Sequence, residues 1–371
     1  MLGLQEQLGD RRGMSFSLMR LAQQAVRQLK VKKAEDLIRR ALKMSQELAE
    51  TELVAQTLHA LGIILLRDGR FTAGEAALKE SQALVADVSG DHVLMKDNLH
   101  MLGFAALWQQ DFGRAEQIFQ RALAVGEQAQ VATTTADSLG FLGWSNLLAG
   151  KLDQAIEYMM KAAAGGDKTR QRNRRRWANP LGLAYLHLGD YAQAADWAAV
   201  APKRIDAGPL QLGLLALAER PSPDQHTTLQ ALMSELRQRS SRPNFPDLGE
   251  TVGMASITAA HLHFVEEGWL WTCEVLQAAL ETKQWLLLLY GLAATDQLHI
   301  YAEAFEEAAR LLPKVECFPL LQASRWFDEV LRQPVGAAVQ VLPPAQRAAL
   351  QAKGQRQDPW KTAAALLKKL A

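Results

Sequence analysis

From residue 4 to about residue 202 the apolar positions recur as one phrase: a leucine, a small residue, a turn, an aromatic or aliphatic residue, then alanine. One copy reads Leu61-Gly62, Gly69, Phe71, Ala76 and Leu78. The next has Leu102-Gly103, Phe112, Ala115, Phe119 and Ala122-Leu123, and the third has Leu142-Gly143, Gly150, Leu152, Ala155, Met159 and Ala162. A fourth gives Gly182, Tyr185, Gly189, Tyr191, Ala194 and Ala198, and a weaker first copy runs Leu21-Ala22, Ala25, Val31, Ala34, Ile38 and Ala41-Leu42. The small residue thus falls at 22, 62, 103, 143 and 182, a spacing of 39 to 41.

Each copy predicts two antiparallel helices. Apolar residues at i, i+3 and i+4 before the turn mark a helix A, and the alanine and aromatic series after it marks a helix B. Gly69, Gly150 and Gly189 stand where helix A must end, because glycine accepts the left-handed conformation of a helix terminus. Asp111 stands in a similar place and fits it less well. One hairpin cannot bury its apolar face alone, so the copies must stack. The expected fold is all-α, a right-handed superhelical α-solenoid with a concave face.

All 13 prolines lie at or after Pro180, and Pro202, Pro209, Pro221, Pro223, Pro243 and Pro246 crowd one segment. Proline removes a backbone donor and ends helices, so short helices and loops are predicted there. The expected organisation is regular repeats over 1–202, a proline-rich irregular helical segment over 203–250, degenerate hairpins over 251–334, and capping helices over 335–371. Within the third part the pattern predicts Ile257 to Glu267 turning at Gly268 into Leu270 to Leu280. It then predicts Leu286 to Ala294 followed by Tyr301 to Leu312, stopped by Pro313, and a helix from Leu320 to Leu331 stopped by Pro334. The cap should be two helices, about 344 to 353 and 359 to 370.

The order Leu-Gly, Gly-x-aromatic, Ala, aromatic, Ala-Leu resembles the tetratricopeptide repeat, in a variety longer than the usual ~34 residues. HEAT and armadillo repeats share a period of ~40 to 47 but do not require the Gly-x-aromatic turn followed by alanine. The phrase Leu8-Gly9-Asp10-Arg11-Arg12-Gly13 places Gly9 13 residues before Ala22, and Gly90 of Ser89-Gly90-Asp91 lies 13 before Gly103. This linker resembles the one in sensor regions of STAND-class signalling ATPases and transcriptional regulators. The tail, with Leu342-Pro343-Pro344, Gly354, Trp360 and Leu366-Leu367, resembles the close of such chains. Residues 1 to 8 read as the end of a helix B, so the resemblance implies a piece of a longer protein with its catalytic or DNA-binding module upstream.

Charge changes this picture little. Lysine and arginine number 41 against 40 acidic residues, which gives no global reason for a nucleic-acid or membrane-surface partner. Cys273 and Cys317 are too few for a disulfide framework or a four-thiolate metal site and fit a reducing cytoplasm. No secretory leader is readable, and the longest apolar run, around Trp285 to Leu289, falls far short of the ~20 residues of a spanning helix. Gly150-Lys151 lacks the rest of a phosphate-binding loop. His261 and His263, two apart, point to different helix faces, whereas paired helical ligands want three or four. Neither catalytic residues nor a metal or cofactor is expected.

Binding residues are predicted from the repeat itself. Counting the small residue as position 8, positions 5, 9, 12 and 13 of helix A point toward the concave groove, since 5, 9 and 12 lie on one helical stripe. The stripe supplies His59, Ile63 and Arg67, then His100, Phe104 and Trp108, then Trp144, then Asn179, Leu183 and His187. Phe104, Trp108 and Trp144 should form one aromatic patch. The same side chains could instead pack against neighbouring helices, and the sequence leaves both readings open. Lys168, Arg170, Arg172, Arg174, Arg175 and Arg176 form a basic run before Trp177, either a partner site or a solvated linker. The expected function is a protein-interaction or ligand-sensing module taking a protein, a peptide or a small-molecule effector, as the sensor part of a larger signalling ATPase or regulator. The alternatives are a free-standing scaffold and, against the neutral charge balance, nucleic-acid binding through the 168–176 run.

Overall fold

The computed structural model describes residues 5, 7–27, 30–87, 92–128, 132–164, 170–201, 208–217, 223–239 and 245–370. Every regular element among them is helical. The chain forms two compact units, Met1–Phe141 with Ser241–Phe245, and Leu142–Ser240 with Pro246–Ala371.

The first unit is a run of hairpins. Helices α1 (Arg11–Arg27), α2 (Val31–Glu47), α3 (Thr51–Arg67), α4 (Phe71–Asp87), α5 (His92–Trp108) and α6 (Phe112–Gln128) are each 17 residues long. Helix α7 (Ala132–Leu148) has the same length and carries the boundary between the units. Such a helix is about 25 Å long, so the arms of each hairpin match end to end. Two helices of this length joined by short loops account for the period near 40.

Close approach within a hairpin depends on the small residue of helix A. A Cβ on Gly62 would overlap the side chain of Leu78, and one on Gly103 would overlap the ring of Phe119. Leu78 and Phe119 are fully buried. In the second unit a Cβ on Gly143 would meet Met159, again 16 residues further on. Ala22 and Ile38, both buried, hold the corresponding positions in the first hairpin.

The turn after helix A is also repeated. Gly69, Gly150 and Gly189 have φ of 74°, 76° and 89°, the left-handed conformation anticipated for them. The next residue's amide then reaches back to a helix carbonyl, as in Arg70 N to Leu65 O (3.0 Å) and Lys151 N to Asn146 O (2.8 Å). In the α5–α6 hairpin the left-handed residue is Gln110 (φ 63°), not Asp111. Asp111 instead caps α6, its Oδ1 accepting from Arg114 N (3.1 Å).

Ion pairs clip one hairpin to the next. Arg114 grips Glu75 of α4 with both guanidinium nitrogens, and Gln109 adds a bond of 3.1 Å. Burial alone would raise the Glu75 pKa, but these hydrogen bonds outweigh it and hold the carboxyl below its ordinary value. Arg70 grips Glu35 of α2 in the same way, at 2.5 and 3.1 Å.

The second unit continues with α8 (Leu152–Ala164), α9 (Arg170–Leu188) and α10 (Tyr191–Val200). Helix α10 is short, and the knob opposite Gly182 is Leu210, from α11 (Gly208–Leu215). Then come α12 (Pro223–Arg239), α13 (Phe245–His261), α14 (Val265–Thr282), α15 (Trp285–Tyr301) and α16 (Phe305–Val315). A broken helical segment follows, with α17 (Pro319–Ala323), α18 (Arg325–Phe327), a π turn (Asp328–Arg332) and α19 (Gln333–Ala338). Helices α20 (Pro344–Gln355) and α21 (Pro359–Leu370) close the chain as two terminal helices.

Several predicted boundaries move. The hairpin placed at Gly268 turns at 262–264, with His263 left-handed (φ 64°), and Gly268 lies inside α14. The next turn sits after Tyr301, at Glu303 (φ 54°). Proline stops fewer helices than expected, since Pro180 and Pro313 lie inside α9 and α16 and Pro334 lies in the first turn of α19. The linker residues 89–91 and Pro202, Pro221 and Pro243 fall outside the described residues.

The shared turn predicts opposite effects of two substitutions. Gln110→Gly should raise the unfolding free energy by about 0.5–1 kcal/mol, because it removes a left-handed Cβ. Gly69→Ala should lower stability by about 1 kcal/mol. Equal and like-signed shifts in equilibrium unfolding would contradict the turn assignment.

Candidate functional site

In the first unit the predicted stripe is present, and its two histidines are structural anchors. Each reaches the following A helix five residues before that helix's small residue. His59 Nδ1 lies 2.8 Å from Asn98 Oδ1, and His100 Nε2 lies 2.8 Å from Ser138 Oγ. Asn98 Nδ2 donates to Ser81 Oγ (3.0 Å), which donates to the Ala55 carbonyl (2.7 Å), so Asn98 Oδ1 is left to accept from a neutral His59. Burial lowers the His59 pKa, in keeping with the neutral form. His100 is itself buried, its ring edge-on to Phe141 at 4.8 Å. A satisfied buried hydrogen bond contributes about 1 kcal/mol, while an orphaned partner costs about 1–3 kcal/mol. These rungs therefore fix the rotation of α3 and α5.

With the helices fixed, the next positions on the stripe are held at the surface. Ile63, Arg67, Phe104 and Trp108 are half-buried. Phe104 stacks on Trp108 (centroids 6.2 Å apart) and meets Phe119 and Phe141 edge-on at 5.6 and 4.8 Å. Phe71 adds a further ring, 6.4 Å from Trp108. The patch thus has a buried root, Phe119, and half-exposed tips at Phe71, Phe104, Trp108 and Phe141. Trp144, expected in the same patch, belongs to the second unit, where it is half-buried.

The rest of the stripe meets a different environment. Leu183 and His187 are each 1% exposed. The broken segment after α17 lies over His187, whose Nδ1 is 2.8 Å from Ser324 Oγ and whose ring stacks on Phe327 and meets Trp326 edge-on. The same segment runs past the turns of two hairpins. The Pro319 carbonyl packs on Gly150, Arg325 packs on Gly189, and Tyr191 donates to Glu329 (2.7 Å). Trp326 Nε1 donates to the Gly213 carbonyl (2.9 Å), and His261 Nδ1 faces the Val330 carbonyl (3.0 Å). Asn179 is half-buried, and its Oδ1 has no hydrogen-bond partner. In this unit the chain itself covers part of the stripe.

The basic run occupies the first two turns of α9 and spreads around the helix rather than along one face. Arg170, Arg172, Arg174, Arg175 and Arg176 are exposed, and Lys168 lies outside the described residues. Arg174 sits over Trp197 (5.4 Å) and Arg176 over Trp177 (5.7 Å), cation–π contacts that occupy two of the guanidinium planes. Cys273 is half-buried, its thiol pKa raised by burial and by Glu274. Cys317 is exposed, its thiol 3.1 Å from the Pro313 carbonyl.

Two features escaped the sequence reading. The rung partners Asn98 and Ser138 stand five residues before the small residue in successive copies, and Thr57, which meets Ser45 Oγ at 3.2 Å, holds the same place one copy earlier, a polar column on an apolar face that could have been found. The covering segment carries no such signal, because Ser324 meets His187 across 137 residues.

The comparisons agree with this architecture. Residues 97–166 match the family described as Tetratricopeptide repeat. No curated protein matches the chain. Among solved structures the chain is similar to a Rap protein complexed with competence and sporulation factor, at 12% identity over 72% of this chain and 76% of that chain, TM-score 0.58. It is also similar to the Rap conjugation gene regulator of the plasmid pLS20 in complex with a Phr peptide, at 14% identity over 80% of this chain and 77% of that chain, TM-score 0.54. Identities this low speak for the fold alone. The protein carries tetratricopeptide-type helical hairpins.

The covered histidine predicts a pH dependence. Burial pushes the His187 pKa down from 6.5 to about 3, so folding keeps it neutral. Its contribution is complete above the unfolded value and is lost as pH falls from 6.5 toward 3, by about 1.4 kcal/mol per pH unit. Urea unfolding at pH 7.5, 6 and 5 should therefore show a shallower acid loss for His187→Asn than for the parent chain. Parallel curves would place the residue in solvent.

Proposed function

We propose that the protein binds a segment of another polypeptide along the first unit's stripe, with Phe104 and Trp108 as anchors and Ile63 and Arg67 beside them. The observation that carries this reading is the half-exposed aromatic patch on helices whose rotation is fixed by the His59 and His100 rungs. Aromatic side chains held rigidly lose little entropy on binding and dominate interface energetics. Of the two Rap structures similar in fold, one holds a Phr peptide and the other competence and sporulation factor, which supports a polypeptide ligand here. The His187 end of the stripe is already filled by Ser324 and Phe327, so a partner gains most from the first unit.

The finer role is a sensor or regulatory arm of a larger signalling ATPase or regulator in the cytoplasm. It is supported by the Leu-Gly-Asp-Arg linker and by the tail, and it gives the bound segment the part of a signal. Binding, not catalysis, is the activity assigned to the stripe.

The test is selection of peptides from a displayed random library on the full chain, followed by affinity and unfolding measurements on Phe104→Ala and Trp108→Ala. Each substitution should weaken a selected peptide by about 2 kcal/mol or more. Truncation of an aromatic that belongs wholly to the core instead costs about 3–5 kcal/mol of folding stability. Undiminished peptide affinity in the folded fraction, with that loss of stability, would return both residues to the core.

A further inference from the structure

A second concave site lies at the far end of the second unit, between α16, the turn after α20, and α21. The cleft has a volume of about 610 Å³ and is lined by His299, Arg310, Lys314, Arg356, Lys361 and Lys369. Among the described residues that line the cleft only Glu307 and Asp358 oppose these cations, and Asp358 Oδ1 is engaged as the cap of α21, accepting from Lys361 N (2.9 Å). A chain with a net charge of +1 has thus gathered five lysine and arginine side chains around one cleft. Among the described residues none of Arg310, Arg356, Lys361 and Lys369 makes an ion pair. Like charges left unpaired at this density repel, and an anion in the cleft relieves that repulsion.

The cleft is built and not merely basic. Lys314 is 4% exposed, and its ammonium donates to the carbonyls of Gly354 (2.5 Å) and Gln357 (3.2 Å), which leaves its third hydrogen uncommitted. Gly354 is required there, since a Cβ would collide with the Arg310 carbonyl and push α20 off α16. Two polar atoms facing no protein partner complete the case: Arg310 Nε and His299 Nδ1 are both buried and without a hydrogen bond. Burial, opposed by Glu307 and reinforced by Lys369 and Arg310, pushes the His299 pKa down to about 4. The volume lies within the ~300–1,000 Å³ of small-molecule sites, and Leu311, Ala365 and Leu366 give it an apolar wall.

We propose that this cleft binds a small polyphosphate, inorganic or carried on a nucleoside, with its phosphates held by Arg310, Lys314, Lys361 and Lys369. Arginine and lysine together suit phosphate oxygens, the guanidinium as a fork and the ammonium as a point charge. The site is separate from the aromatic stripe and does not depend on the polypeptide reading.

Isothermal titration of the full chain in low-salt buffer, with sodium pyrophosphate, ADP and adenosine as probes, tests the proposal. Pyrophosphate and ADP should bind and adenosine should not. Lys361→Gln combined with Lys369→Gln, both at exposed positions, should weaken binding by at least about tenfold, equivalent to about 1.4 kcal/mol, while the ligand-free melting temperature does not fall, since two repelling charges are removed. In nuclear magnetic resonance titrations the His299 imidazole should protonate at a higher pH when pyrophosphate is present. ADP binding tenfold tighter than pyrophosphate assigns the site to a nucleotide, and equal affinity assigns it to the inorganic anion. Failure of both anions to bind, or equal binding by the double variant, overturns the proposal.

Discussion

The structure depends on a missing Cβ. In three hairpins helix A omits a side chain where helix B presents a buried apolar one: the pairs Gly62 with Leu78, Gly103 with Phe119 and Gly143 with Met159 share a separation of 16 residues, and Ala22 with Ile38 repeats it in the first hairpin. The separation follows from the geometry: the same number of turns up one helix and down the other, with a three-residue left-handed turn between. Interiors pack at crystal-like density, so adding one carbon at such a contact forces a neighbour out of its rotamer. Where the second arm is short, as with α10, Leu210 of the next helix supplies the knob for Gly182. The contact is kept even when its donor changes.

Fixing the hairpin this way also fixes which side chains face away from it. In the first unit the His59 and His100 rungs lock neighbouring A helices in rotation, and the Glu35–Arg70 and Glu75–Arg114 clips hold the turns. Phe104 and Trp108 are then presented half-exposed over the buried Phe119. In the second unit the equivalent surface near His187 is occupied by Ser324, Trp326 and Phe327. One repeat pattern therefore yields an open stripe in one unit and a covered one in the other. The C-terminal helices serve a different end, since Lys314 and Gly354 draw α20 against α16 and so form the basic cleft.

How much of this was legible depended on the range of the interaction. The repeat spacing and the turn glycines are local, so Gly62, Gly103 and Gly143 and then Gly69, Gly150 and Gly189 were legible without any structure, whereas the knob that each small residue admits had to be seen in the packing. Gln110 was misplaced by one residue because a capping aspartate beside it looks equally suited to a turn. Pro313 and Pro334 misled for a related reason: proline disfavours a helix interior, but tertiary packing overrode it at Pro313, and Pro334 lies in the first turn of its helix, where its missing amide costs little. His187 occupies a groove column in the sequence, yet the segment that covers it lies more than a hundred residues away and has no periodicity. The basic cleft was invisible for the same reason, being assembled from α15, α16 and the last two helices.

A double-mutant cycle between Gly103 and Phe119 tests the governing contact most directly. Gly103→Ala in the native background should cost about 1–3 kcal/mol of unfolding free energy, the usual range for overpacking. With Phe119→Leu, which shortens the knob, the same alanine should cost less by at least about 1 kcal/mol, a coupling expected only of residues in contact. Additivity within about 0.5 kcal/mol would show that the two side chains do not constrain one another, and the account of the hairpin built on that contact would be wrong.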